Sequence, residues 1–299
     1  MTIVNDIDPA TVRLARGSHP DGIVGEWCFM EYVNWRAGRP WSDAAGDLVS
    51  PIIAAFTRSF NDNLDDEGRQ KLVPYDTLVL GTSTGDADEE KRRWLVADWM
   101  LHVHLPTWLD ASGMTDQATL VRSLPHIDSG AVWRQVRDQI VPIRDDAWQR
   151  RSAAFVPLRE RVKEAVRRGL ADKPKSAAEA VEVVAAAEAV AAEAVAAEAV
   201  AAVAAAEVAA AAVVAAEAAA AEVAAEAVVA VEVEVAAEVV AEAVAAAAGF
   251  RPRVWSAVYN ATKPIFAKAI KEHPTVGPVV EAMQASGFEL LDQLIAIGK

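Results

Sequence analysis

The sequence contains a stretch, residues 177–248, in which every position is alanine, valine or glutamate. Glycine, proline, basic and aromatic residues are absent from it, and the unit Ala-Glu-Ala-Val-Ala recurs through much of its length. Alanine and glutamate are among the best helix formers, and valine is only slightly worse. The composition therefore predicts a helical segment, and its two ends divide the chain into three parts.

A five-residue period does not place the valines or the glutamates on one face of a helix. At about 100° per residue, each unit turns the pattern by roughly 140°, so both residue types wind around the helix. No heptad is present, and a coiled coil is not predicted. The alternative is a pentapeptide-repeat β-solenoid. Its inward-facing pair would here be two alanines, which are depleted in strands, so the helix is favoured.

The acidity of the chain is concentrated in this repeat. The formal net charge of the 299 residues is −14, and residues 177–248 contain thirteen glutamates and no basic residue. Such a segment repels nucleic acids and anionic membrane surfaces, so we expect neither direct nucleic-acid binding nor membrane binding. The alternative interpretation is that the glutamates imitate a nucleic acid and act on a DNA-binding protein.

Cysteine content and the N-terminus bear on the cellular compartment. Cys28 is the only cysteine, which excludes an internal disulfide and suits a reducing cytoplasm. The first eight residues carry acids where a signal peptide needs basic and apolar residues. Within the repeat, the longest run without glutamate is 208–216, which is too short to cross a membrane. We therefore expect a cytoplasmic protein.

The first 170 residues carry the helix signals of an ordinary globular domain. Ser50-Pro51 is an N-cap followed by proline at the first helical position, and Gly38 is a helix stop. Apolar spacing predicts a helix over 22–36, with Cys28 inside it as a core thiol. Two further helices are predicted over 131–147, interrupted at Pro142, and over 158–170.

The last fifty residues are too few to bury their own apolar faces, so they need a partner surface. Their main element is an amphipathic helix predicted over 274–297. One uninterrupted helix through the repeat would be about 108 Å long and would carry this element away from the first domain. We therefore predict that the repeat folds back as a hairpin, with docking on another chain as the alternative.

The predicted fold class is all-α, in three parts. Residues 1–170 form an N-terminal helical domain. Residues 171–249 form the Ala/Val/Glu repeat arm, and residues 250–299 form a C-terminal helical segment whose helix docks on the N-terminal domain.

The motifs for metal or phosphate binding are incomplete. His102 and His104 lie two residues apart on a helix and face different directions. Asp98 and His102 share a face at i, i+4, but two ligands are too few for zinc. The glycine-containing loop at 81–85 lacks the Lys-Ser/Thr of a P-loop and is predicted to be a turn. We predict no metal, no cofactor and no catalytic residue.

Polar residues near the helix ends of the N-terminal domain are the candidates for a ligand or interaction site. They carry carboxylate, guanidinium, amide and indole groups that helix ends can bring together. The alternative is that they form caps and salt bridges that hold three helices together. The candidates are Glu31, Trp41, Asp43, Arg58, Asn61 and Asp62.

The same region carries a family resemblance. Residues 27–31 (Trp-Cys-Phe-Met-Glu), 37–43 (Ala-Gly-Arg-Pro-Trp-Ser-Asp), 50–62 and 283–292 resemble a family of uncharacterised actinobacterial and actinobacteriophage proteins. The resemblance implies an N-terminal domain, a long alanine-rich tract, a C-terminal helix and a bacterial host cell, and it implies no activity. Two features depart from the family: valine and glutamate replace tryptophan, arginine and aspartate in the tract, and Phe60 stands in place of a tryptophan.

Together these observations favour a non-enzymatic structural or interaction protein. It would use its acidic helical arm for self-association or for binding a protein partner. The alternatives are the acidic nucleic-acid mimic and a small-molecule enzyme whose site lies in the N-terminal domain.

Overall fold

The structure of the protein is a computed structural model that describes residues 5–19, 27–171, 208, 274 and 276–299. Within these residues all regular secondary structure is helical, and the only β-type pairing there is an isolated bridge between Leu14 and Trp27. The predicted all-α fold is confirmed. The predicted hairpin of the repeat arm and its β-solenoid alternative lie outside the described residues, apart from Val208, which is helical and buried.

The helices follow one another with short connections. One 3₁₀ turn, Pro9–Thr11, precedes the first α-helix, and another, Val73–Tyr75, lies between the third and the fourth. The α-helices are α1 (Phe29–Arg36), α2 (Pro51–Asn63), α3 (Asp66–Gln70), α4 (Asp86–Trp99), α5 (Leu105–Ala111), α6 (Thr115–Ser123), α7 (Gly130–Ala171) and α8 (Val276–Ala296).

Two helix starts show how local sequence determines structure. The Ser50 hydroxyl accepts a hydrogen bond from the Ile53 amide at 3.3 Å, and α2 begins at Pro51 as predicted. The predicted position of Cys28 inside a helix is wrong, because α1 begins one residue later and Cys28 is its N-cap. The Glu31 carboxylate accepts the Cys28 amide at 2.8 Å and completes a capping box.

The predicted interruption of the 131–147 helix at Pro142 is also wrong, because α7 runs unbroken through this residue and includes the predicted helix over 158–170. Proline removes one hydrogen bond to the carbonyl four residues earlier, here that of Asp138. Pro142 and Asp138 are both exposed, so water can replace the missing donor. The opposite face of α7 is apolar and buried at Trp133, Val136, Ile140, Ile143 and Ala147.

Among the described helices, none is both long and apolar enough to cross a membrane.

A second proline shapes the junction between α4 and α5. Pro106 lies in the first turn of α5 and would clash with the carbonyl of His102 in a regular helix. The backbone instead makes one π-helical turn, Met100–His104, in which the Leu105 amide donates to the Met100 carbonyl. The helix therefore continues through the proline. Because the π turn is wider than an α-helical turn, the side chains of His102 and His104 are displaced from regular α-helical positions.

The C-terminal helix α8 closes the core of the N-terminal domain, where the sequence analysis placed it. It packs against α2, α4 and α5. The Phe288 ring lies edge-on to Phe60 of α2, with 4.9 Å between the ring centroids. The α8 side chains that are buried in this contact include Met283, Leu290, Leu291 and Leu294.

Arg92 of α4 fastens the end of α8 to the domain. Its guanidinium is completely buried and donates to the carbonyl oxygens of Leu294 at 3.0 Å and Ile297 at 2.5 Å. It also pairs with Glu89 at 2.6 Å, and the other Glu89 oxygen accepts the Ser50 hydroxyl at 2.6 Å. One hydrogen-bonded chain therefore joins the start of α2, the middle of α4 and the end of α8.

We predict that Gly287→Ala destabilises the protein by about 1–3 kcal/mol, although alanine is the better helix former. A Cβ at Gly287 would lie 2.8 Å from two ring atoms of Phe60, which is fully buried and packed against Phe56. Urea unfolding would measure the loss. The shorter side chain in Phe60→Leu should reduce the cost of Gly287→Ala, and strictly additive costs would contradict this contact.

Candidate functional site

The N-terminal segment, residues 15–19, is the element around which the predicted site residues gather. The buried Glu31 carboxylate accepts the His19 amide at 2.7 Å and faces the His19 ring nitrogen Nδ1 at 3.1 Å. Because Glu31 also accepts the Cys28 amide, one side chain both starts α1 and holds the N-terminal segment against it.

Asn61 and Asp62, in the last turn of α2, hold the other end of the N-terminal segment. The Asn61 side-chain amide donates to the Ala15 carbonyl at 2.9 Å, and its oxygen accepts the Phe29 amide at 3.3 Å. The Asp62 carboxylate accepts the Gly17 amide at 2.8 Å. Gly17 has a φ of 81°, a left-handed conformation that favours glycine at this contact.

Trp41 completes the contacts with the N-terminal segment, and Arg58 and Asp43 form a neighbouring pair. The Trp41 indole donates to the His19 carbonyl at 2.8 Å, and its ring lies edge-on to Trp27 at 6.1 Å. Arg58 donates to the backbone carbonyl of Asp43 at 3.0 Å.

Four of the six predicted residues thus contact one segment directly. They do so through hydrogen bonds that belong to the fold itself, and their proposed ligand binding stays a prediction. His19, which contacts two of these four residues, Glu31 and Trp41, was not among the predicted site residues. No spacing rule could have indicated it, because His19 lies outside any helix and its partners come from α1 and from the loop after α1.

Burial also determines the chemistry of Cys28. Removal of the thiol from water raises its pKa to about 12, against weaker opposing hydrogen bonds from the Glu31 and Met30 amides. The nucleophilic form of cysteine is the thiolate, so this thiol is unreactive at neutral pH in the folded protein.

We predict that Glu31→Ala destabilises the protein by about 2–3 kcal/mol, because it leaves buried amides without an acceptor and removes a helix cap. Loss of the cap should also make Cys28 accessible, so its alkylation should become faster under native conditions. Urea unfolding and the rate of iodoacetamide labelling would measure the two effects. Glu67→Ala is the matched control, since Glu67 is an exposed acid in the first turn of α3 and should change stability by less than about 0.5 kcal/mol.

A second polar cluster lies at the junction of α4, the π turn and the loop between α6 and α7. One Asp98 carboxylate oxygen lies 2.8 Å from Nδ1 of His102, and the other lies 2.8 Å from Nδ1 of His126. The Ile127 amide donates to Asp98 at 2.7 Å. The centroids of the two imidazole rings lie 4.5 Å apart. Asp98, His102 and His126 therefore bring three potential metal-binding groups together.

The charges of this cluster are coupled. Burial opposes ionisation of Asp98, but the nearby imidazoles of His102 and His126 and the hydrogen bond from the Ile127 amide outweigh it and lower the pKa of the carboxyl below its ordinary value. Burial likewise opposes protonation of His102, but the Asp98 carboxylate outweighs it and raises the pKa of the imidazole from its ordinary value. Asp98 is therefore a carboxylate at neutral pH and attracts a cation.

The Asp98–His102 pair was recognisable from its i, i+4 spacing in the sequence, but its third member was not. His126 lies in a loop and is brought to α4 by the α5–α6 hairpin, so only the tertiary structure joins it to the pair.

No family model matches the chain, and neither a curated protein nor a solved structure shows significant similarity to it. The resemblance to the actinobacterial and actinobacteriophage family therefore stays a prediction.

Proposed function

We propose that the protein is a non-enzymatic interaction protein. In this proposal the helical domain holds both ends of the acidic repeat arm, and the repeat arm binds a second copy of the chain or a protein partner. The repeat, residues 177–248, carries nearly all the excess negative charge, and that charge makes it unsuited to binding nucleic acid or anionic membranes directly.

The observation that supports the proposal is the attachment of α8. The last helix, α8, is packed against α2, α4 and α5, although more than a hundred residues separate it from α7 in the sequence. Arg92 secures this helix through two backbone carbonyls, that of Leu294 in its last turn and that of Ile297 just after its end. A domain that anchors both flanks of a long insertion suits a scaffold.

The contacts around Glu31, Asn61 and Asp62 also favour a scaffold over an enzyme. These side chains accept or donate hydrogen bonds within the domain, and their partners are backbone groups of the N-terminal segment and α1. Groups committed in this way stabilise the fold and are poorly placed to bind a substrate.

Replacement of residues 177–248 tests the proposal. A glycine/serine segment of equal length keeps the connection between the flanks and removes the Ala/Val/Glu chemistry. We expect the domain of this variant to unfold as cooperatively as in the wild type. If the repeat arm self-associates, the molar mass measured by light scattering should fall to that of a monomer. If it binds a protein partner, the cross-link to that partner in the host cell should disappear. Unchanged mass and unchanged cross-links would contradict the proposal.

A second variant, with the thirteen repeat glutamates changed to glutamine, distinguishes the two modes of binding. Two acidic arms repel each other, so self-association should become tighter in this variant and in high salt. A basic partner is attracted by the same charge, so its binding should weaken under both conditions. If the repeat arm imitates a nucleic acid, its partner is a DNA-binding protein, and that binding should likewise weaken in the glutamine variant and in high salt.

A further inference from the structure

We propose that Asp98, His102 and His126 form a binding site for a divalent transition-metal ion, with Zn²⁺ as the ion that fits the ligand set best. The site is built from the last turn of α4, the π turn after it and the loop between α6 and α7. It is separate from the contacts around residues 15–19 and independent of the proposed role of the repeat arm.

The ligand atoms already converge. One carboxylate oxygen of Asp98 and one nitrogen from each of His102 and His126 all lie within 4.8 Å of one another. Two histidines and one carboxylate are a familiar zinc ligand set, in which the fourth position is left for water. The 2.8 Å separation between the ligating Asp98 oxygen and its histidine nitrogen would need to open to roughly 3.3 Å around an ion with metal–ligand bonds of about 2.0–2.1 Å.

The tautomer of His102 is the strongest argument for an ion. Its Nε2 lies 3.1 Å from the Leu124 carbonyl, which can only accept, so Nε2 carries a proton. In a neutral His102 ring, Nδ1 then carries no proton and presents a lone pair, yet it lies 2.8 Å from a carboxylate oxygen of Asp98. Two such atoms repel each other unless a cation, either a proton or a metal ion, lies with them.

The geometry favours the metal ion over the proton. Although Nδ1 of His102 is close to Asp98, it makes no hydrogen bond of acceptable geometry in the described structure. The His102 side chain is only 8% exposed, so solvent cannot readily supply a replacement partner. A metal ion bound beside the N···O line would satisfy both atoms without a linear hydrogen bond.

The surroundings of the three groups resemble the support that metal ligands receive in proteins. Ligating histidines usually donate their second ring N–H to a carbonyl, as His102 does to Leu124. The Ile127 amide orients the Asp98 carboxylate. Since the side chain of His126 is 80% exposed, an ion and its bound water have access from solvent. Imidazole nitrogens favour Zn²⁺ over Ca²⁺ or Mg²⁺, which prefer oxygen ligands.

Cobalt substitution provides the test. The full-length protein, first treated with a chelator and then dialysed, is titrated with Co²⁺ while the visible d–d absorption is recorded. We expect one Co²⁺ per chain, with the intense bands of four- or five-coordinate geometry, and displacement of the cobalt by one equivalent of Zn²⁺. His126→Ala should lower the affinity at least about 100-fold without affecting the fold, because the side chain is exposed.

A second variant identifies residue 126 as a ligand. His126→Cys offers a thiolate at the same position and should restore binding, with a new sulfur-to-cobalt charge-transfer band in the near ultraviolet. Cys28 should not contribute to that band, because it is buried and stays protonated. The matched control is Asp110→Asn, which removes the carboxylate of a partly exposed ion pair with Arg122 and should leave cobalt binding unchanged.

Two results would overturn the proposal. The first is the absence of stoichiometric Co²⁺ or Zn²⁺ binding by the wild-type protein. The second is an affinity that His126→Ala leaves unchanged, which would mean that the ion binds elsewhere and that Asp98 simply accepts hydrogen bonds from two protonated histidines.

Discussion

Arg92→Met is expected to destabilise the protein by about 3–5 kcal/mol, the cost of breaking a buried ion pair by removing one partner. The Arg92 guanidinium is fully buried, so no water replaces it. Its loss would leave the Glu89 carboxylate without its cation and two carbonyls at the end of α8 without donors. The last four carbonyls of a helix have no partner within the helix, so this end depends on external donors.

The measurement is the free energy of unfolding in urea, together with limited proteolysis of α8. We expect proteolysis within α8 to become faster than in the wild type, because the helix loses its terminal attachment. Arg92→Lys should recover only part of the stability, since a single ammonium group cannot reproduce the geometry of the guanidinium donors.

Lys91→Met is the matched control for Arg92→Met. Lys91 is the preceding residue on α4 and pairs with Asp88 at the surface. Exposed pairs of this kind contribute little, so we expect a change below about 1 kcal/mol. Equal effects of the two substitutions would show that Arg92 does not hold α8 in place.

The parts of the fold that the sequence predicted are those with local causes. Ser50 and Pro51 determine the start of α2 within one turn, and Gly38, with a φ of 67°, follows the end of α1. Pro142 was misinterpreted because the cost of proline in a helix depends on whether water reaches the freed carbonyl. Exposure is a tertiary property, and residue spacing did not reveal that α7 turns this face to solvent.

The candidate site shows the same division. Glu31 was predicted as a site residue from its position in a motif, and its capping role is local. The role of Arg92 could not be predicted, because it stands in a charged run and its partner Leu294 is 202 residues away in the chain. The position of His126 beside Asp98 and His102 could not be predicted either, because it results from the packing of a loop against α4.

Asp76→Ala is expected to destabilise the protein by about 3–5 kcal/mol, because it removes one partner of a second buried ion pair. Arg36, at the end of α1, donates to Asp76 at 2.7 Å, and the side chains are 8% and 7% exposed. Without Asp76 the buried guanidinium would keep only the Asn5 carbonyl and the exposed Asp6 carboxylate. The Thr77 amide would also lose its acceptor.

An exposed pair of the same residue types provides the control for Asp76→Ala. Arg39 and Asp47 lie 2.6 Å apart, but their side chains are 41% and 71% exposed, so Asp47→Ala should cost less than about 1 kcal/mol. The double variant Arg36→Met, Asp76→Leu removes both buried charges and should be more stable than Asp76→Ala alone. Urea unfolding of the variants would measure these differences. If Asp76→Ala cost no more than Asp47→Ala, burial would not be the source of the effect, and the attachment of the N-terminal residues to α1 would need another explanation.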